Sequence, residues 1–280
     1  MQNIIQRNNV TVFGSGPEVL MFAHGFGCNQ QMWRFLLPEL EQRFKFVLFD
    51  YIGASTSDLS AFCVEKYAAL EGYAQDIIDI CQALDLHNVT LVGHSVSGII
   101  SLIAAQHIPE RIAGLVMVCP SPSFLNFSDG YHGGFEREDL QELLDLMDKN
   151  YIEWANYLAP LVTGTELREL TDELSESFCS TNPITAKAFA KATFLSDHRA
   201  LLPQNKHPVL LLQSQQDSLA AVSVGEYMQA KMPQSQLNIV AAKGHCLHMT
   251  HPQIVADAIH SFLLKTSTTT SYEIDAKCHS

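Results

Sequence analysis

The sequence predicts an α/β protein: a mostly parallel sheet flanked by helices and interrupted by an inserted four-helix cap. Short apolar runs with little alternation recur at 10–13, 19–23, 46–49, 89–92, 115–118, 209–212 and 237–240, as expected of strands covered on both faces. Helical patterns separate them, and strand–helix–strand repetition builds a parallel sheet through right-handed crossovers. From 125 to 197 the strand-like runs vanish and helical stretches follow one another. The expected division is 1–124 and 199–265 for the core, 125–198 for the cap, and 266–280 for a polar tail expected to be disordered.

In chain order, the first two strands flank a Gly-Ser-Gly-Pro turn at 14–17. The runs at 46–49 and 89–92 lead directly into Asp50 and Gly93, and the run at 115–118 is soon followed by Pro120. Ahead of the fourth strand, Ile77, Ile80, Cys81 and Leu84 keep the i, i+3, i+4, i+7 spacing of an amphipathic helix. Residues 98–105 are apolar nearly all round, which implies a buried helix. In the cap, Leu140, Leu143, Leu144 and Met147 form one stripe, and 151–162, 166–178 and 183–195 supply three more helices, with a break at Gly164.

Composition narrows the function. A chain of 280 residues, 47% hydrophobic and 17% charged, can bury a core without disulfides or metals. Acidic residues outnumber basic ones 30 to 17, for a net charge of −13. Neutralising phosphates needs a surplus of Lys and Arg, so nucleic acid and anionic membranes are poor partners. The seven Cys are odd in number and form no C-x-x-C pair, a usage that suits free thiols in a reducing compartment. No apolar run is long enough to span a bilayer, and the first residues hold no signal-peptide core. The expected location is the cytoplasm.

The sharpest motif is Gly93-His94-Ser95-Val96-Ser97-Gly98, between a strand and the buried helix. A tight strand-to-helix turn lifts the Ser95 hydroxyl out of the sheet edge in strained backbone geometry, and its neighbours must be small. Gly93 meets this; Ser97 stands where a second Gly is usual. Such a serine needs a base, and the base an orienting carboxylate. In the α/β-hydrolase chain order of Ser, acid, His, Asp217 follows the 209–212 strand and His245 the 237–240 strand, both at the edge where open α/β sheets bind ligands. His245, His248 and His251, with Cys246, also permit reading as a metal cluster, but the strand-end loop favours His245 as base and no metal or organic cofactor is required. Two backbone donors are needed for an oxyanion. One is Val96 N–H; the other is assigned to Phe26 N–H in His24-Gly25-Phe26-Gly27. The expected substrate pocket is apolar, drawn from Phe124, Phe135, Leu143, Trp154, Leu158, Phe178, Phe194 and Leu219. Few charges would face the ligand, which favours a small apolar ester, lactone or ketone.

These residues give the chain a resemblance to α/β-hydrolases of the RsbQ type, bacterial stress-signalling hydrolases related to the plant strigolactone and karrikin receptors. It runs from Gly14-Ser15-Gly16 to about Leu264. It includes His24-Gly25-Phe26-Gly27-Cys28, Gly72-Tyr73-Ala74-Gln75-Asp76, Gly93-His94-Ser95-Val96-Ser97, the cap motifs Gly133-Gly134-Phe135-Glu136 and Asn150-Tyr151-Ile152-Glu153-Trp154, Ser196-Asp197-His198-Arg199 and Gly244-His245-Cys246-Leu247-His248. The resemblance implies a Ser95–His245–Asp217 triad and a closed apolar pocket. It further implies slow hydrolysis of a small hydrophobic, butenolide-like ligand coupled to signalling through a PAS-domain phosphatase or another protein. Leu247 departs from the Pro that relatives usually carry. Two rivals remain: a metabolic carboxylesterase or C–C bond hydrolase without a partner, and a ligand-binding signalling protein whose catalysis is vestigial.

Overall fold

The computed structural model describes residues 3–40, 44–164 and 168–278, with side-chain environments through 266. A seven-stranded sheet forms from β1 (Thr11–Phe13), β2 (Glu18–Ala23), β3 (Phe44–Leu48), β4 (Val89–His94), β5 (Ile112–Val118), β6 (Val209–Gln216) and β7 (Ser235–Lys243). Its order is β1-β3-β2-β4-β5-β6-β7, parallel except for β1, which pairs antiparallel to β3. Each expected strand is present, several a few residues longer. The pairing of β2 with β4 and of β4 with β5 puts residues 89–94 in the middle of the sheet, where every residue of β4 is buried.

The short α1 (Ile4–Arg7) precedes the sheet. α2 (Leu70–Ala83) and α3 (Val96–His107) pack together on one face. α3 buries ten of its twelve residues, as its unbroken apolar sequence requires. Asp76, fully buried on α2, accepts from Arg7, Asn8, Lys66 and Tyr67. A buried carboxylate so surrounded is a structural anchor, and this is what the Gly72–Asp76 motif does.

Between β5 and β6 come α4 (Arg137–Lys149), α5 (Tyr151–Thr163), α6 (Arg168–Ser180) and α7 (Pro183–Phe194). Leu140, Leu144 and Met147 of the α4 stripe are buried, as are Trp154, Leu158 and Phe178; burying each such side chain contributes roughly 1.5–3 kcal/mol. Arg199, just after this insertion, pairs with Asp197 and also with Asp129 at its start, so the entering and leaving strands of the cap are clasped together. After β6 come α8 (Val222–Lys231), α9 (Leu247–Thr250) and α10 (Pro252–Cys278). The helix α10 runs as far as Cys278, within the 266–280 segment expected to be disordered; residues 279–280 and the side chains of 267–278 lie outside the described set.

Candidate active site

Three loops at the carboxyl edge of the sheet meet under the cap. The first is the turn from β4 into α3. Ser95 adopts φ 56°, ψ −126°, a conformation that L-residues avoid and that persists only where the surroundings enforce it. Ser95 N–H donates to Val118 O at 2.8 Å and Gly98 N–H to Ser95 O at 3.0 Å. A Cβ on Gly93 would lie 2.3 Å from Ser97 O, so the turn admits no side chain there.

The second loop leaves β6. Asp217 Oδ1 accepts from the N–H groups of Leu219 (2.8 Å) and Ala220 (3.1 Å), and Oδ2 accepts from His245 Nδ1 at 2.7 Å. Burial alone would raise this carboxyl's pKa, but His245 and the two amides hold it below the usual carboxylate range. The third loop leaves β7 through Gly244, at φ 96°, and His245 Nε2 lies 2.7 Å from Ser95 Oγ. Since Asp217 can only accept, Nδ1 carries the proton and Nε2 is left to accept from the serine. The arrangement can remove a proton from Ser95 Oγ and hold the resulting imidazolium.

The sequence-assigned oxyanion donors, Phe26 and Val96, lie on the loop after β2 and at the first residue of α3. Among the described residues neither N–H makes a backbone hydrogen bond. A Cβ on Gly25 would lie 2.5 Å from His94 Nδ1, so the Phe26 loop rests directly on the residue preceding Ser95. His94 Nε2 donates to His245 O at 2.9 Å. Burial, then the neighbouring His245, pushes the His94 pKa down to about 3; this imidazole is a neutral prop beneath the site.

The cavity at Ser95 is small, about 30 Å³, room for little more than a water or two. Of the sequence-assigned pocket residues, Phe124, Leu158, Phe178, Phe194 and Leu219 line it. Trp154, Phe135 and Leu143 do not. Trp154 stands one layer back, packed on Phe26 and Phe178 with ring centroids 5.8 and 5.5 Å away. Phe135 is held by backbone pairing with Phe124 and Asn126 before α4 begins, and Leu143 packs half-buried on the core. Sequence reasoning missed Cys28, Val162, Leu174 and Thr193, which complete the wall. Leu174 had a signal, since it lies four residues before Phe178 on one helix face; Cys28 had none beyond following the Gly-rich loop.

The cap also touches the machinery directly. His245 N–H donates to Val162 O at 2.7 Å, and Ser218 Oγ to Leu161 O at 2.9 Å. The histidine cluster does not converge: His248 packs at a tilt against His94 and Trp33, and His251 bonds Thr250. The grouping with metal-ligand spacing among the described residues is Cys119, Asp217 and His245, their ligand atoms within 4.8 Å of one another.

A family model for the alpha/beta hydrolase fold matches residues 18–252. The chain belongs to the alpha/beta hydrolase family. It is 36% identical over 252 residues to Karrikin insensitive 2 receptor CA of Petunia hybrida, covering 89% of this chain and 93% of that protein. It is 31% identical over 262 residues to Strigolactone esterase D14 of Arabidopsis thaliana, covering 93% and 98%. The solved structure of a hydrolase from Oleispira antarctica is 54% identical, with a TM-score of 0.91 and coverage of 94% of this chain and 97% of that one. The Arabidopsis relative is named an esterase and the Oleispira neighbour a hydrolase. No helix of the described residues is long and apolar enough to cross a membrane.

Proposed function

We propose that the protein is a serine hydrolase of small, uncharged, hydrophobic esters or lactones, butenolide-like in size, whose slow turnover is coupled to signalling. The observation that carries this reading is the unbroken relay Asp217–His245–Ser95, with two 2.7 Å links ending at an apolar cavity. Ser95 Oγ attacks the carbonyl carbon as its proton passes to His245 Nε2. The carbonyl oxygen becomes an oxyanion held by Phe26 and Val96 N–H. Collapse expels the leaving alkoxide, which takes the proton from His245. A water then gives its proton to His245, attacks the acyl-Ser95 carbonyl, and releases the acid with Ser95 restored.

The RsbQ-like form of the Ser95 motif supports a cytoplasmic role upstream of a PAS-domain phosphatase in a stress response. A second reading, a ligand-binding signalling protein with vestigial catalysis, is favoured by the near-closed cavity and by the receptor name of the Petunia relative. The deciding experiment is intact mass spectrometry after phenylmethylsulfonyl fluoride, with p-nitrophenyl acetate turnover measured alongside. A single adduct on Ser95, absent in Ser95→Ala together with activity, is expected. Wild-type turnover by Ser95→Ala would overturn the reading.

A further inference from the structure

The second small residue of the nucleophile turn is Ser97, not glycine, and its hydroxyl is engaged. Fully buried, it donates to the carbonyl oxygen of His24. A hydroxyl has one proton and a carbonyl only accepts, so the Ser97 proton is committed to His24. Tyr51 OH, 2.9 Å from Ser97 Oγ, must therefore be the donor in that contact. The other end of His24 is also held: its Nδ1 donates to Gly25 O at 2.9 Å and its Nε2 accepts from Tyr51 N–H at 3.2 Å. This tautomer is the neutral one, and burial lowers the His24 pKa to keep it so.

We infer that Ser97 is a positioning residue for the oxyanion hole, a strut that sets the distance between its two halves. The inference rests on the proposed hydrolase reading. Ser97 follows Val96 in the chain, so one end is fixed to the first donor. Its hydrogen bond grips His24, two residues before Phe26 and the second donor. Glycine at 97 would serve the turn equally well sterically but would remove this hydrogen-bonded tether to the Phe26 loop and would orphan both His24 O and Tyr51 OH. The benefit falls on the state with a full negative charge on the carbonyl oxygen, where donor placement matters most.

The test is Ser97→Ala, with Tyr51→Phe as a milder variant that leaves the Ser97–His24 bond in place. Loss of a whole oxyanion donor costs about 10²–10³ in kcat, so a displaced donor should cost about 10–100-fold. The expected result for Ser97→Ala is a kcat for p-nitrophenyl acetate down by that factor, with KM within about twofold. A trifluoromethyl ketone should bind weaker by the same factor as kcat, and the pH profile of kcat should not move. Tyr51→Phe should lose several-fold in kcat. An unchanged kcat in Ser97→Ala overturns the proposal. So does a loss of kcat accompanied by raised KM and a shifted pH profile, since that reports general loosening. If instead Ser95→Ala keeps wild-type activity, the underlying hydrolase reading fails, independently of Ser97.

Discussion

Replacing Asp217 by Asn tests the relay at its least obvious link. The side chain keeps its size, but its two ends now differ. The backbone N–H groups of Leu219 and Ala220, at 2.8 and 3.1 Å, both point at Oδ1. Only the amide oxygen can accept from them, so the amide NH2 is forced toward His245 Nδ1. That nitrogen must then accept, its proton moves to Nε2, and the ring presents a donor to Ser95 where a base is required. The equivalent exchange in a Ser-His-Asp protease costs about 10⁴ in kcat, which is about 5.4 kcal/mol of transition-state free energy. Turnover of p-nitrophenyl acetate by Asp217→Asn should fall by about that factor, with a melting temperature near wild type because every backbone donor keeps its acceptor. A variant within tenfold of wild-type kcat would refute both the tautomer argument and the role given to Asp217.

Other outcomes follow from the same geometry. His94, held neutral with a pKa of about 3, takes up its proton in the unfolded chain near pH 6.5. Between those values the unfolded state binds more protons, so stability must fall on acidification by about 1.4 kcal/mol per pH unit from this ring. His24 and His248, also lowered by burial, act with the same sign. Urea midpoints at pH 7, 6 and 5 should decline in order, and a flat series would contradict this. Trp154→Ala should destabilise by about 3–5 kcal/mol, read by urea denaturation, because the ring packs between Phe26, Phe178 and Tyr151; a loss below 1 kcal/mol, on the same scale, would show that the cap repacks freely. Gly164→Ala places a Cβ 2.5 Å from Gly244 Cα, at a φ of 59°. Pushing the His245 loop aside should lower kcat by about 10²-fold, and wild-type turnover would show that this contact carries nothing.

The sheet was legible because parallel strands buried on both faces must be apolar in unbroken runs, and seven such runs became seven strands. Ser95, Asp217 and His245 were legible because each sits just past a strand end, where chain order and topology leave few choices. The cavity wall was less so. Trp154 and Phe178 share the aromatic, buried signature of a lining residue, yet only Phe178 reaches the cavity, while Trp154 packs behind Phe26 and Phe178, which both line it. Leu158 and Val162, on the same helix as Trp154, do line it, and helix periodicity alone does not say which residue of a buried face meets a cavity. Ser97 was visible only as a departure from the usual glycine. Its partners His24 and Tyr51 are 73 and 46 residues away in sequence, so no local pattern could have announced its role.

The helices inserted between β5 and β6 hold the Asp217 and His245 loops as well as covering them. The last carbonyls of an α-helix have no partner within the helix. At the end of α5, Leu161 and Val162 find theirs in Ser218 Oγ and His245 N–H, on the loops carrying the acid and the base. The helix end and the two loops therefore complete one another. Val162 also lines the cavity at Ser95, so on the proposed reading the residue that seats His245 also borders the substrate.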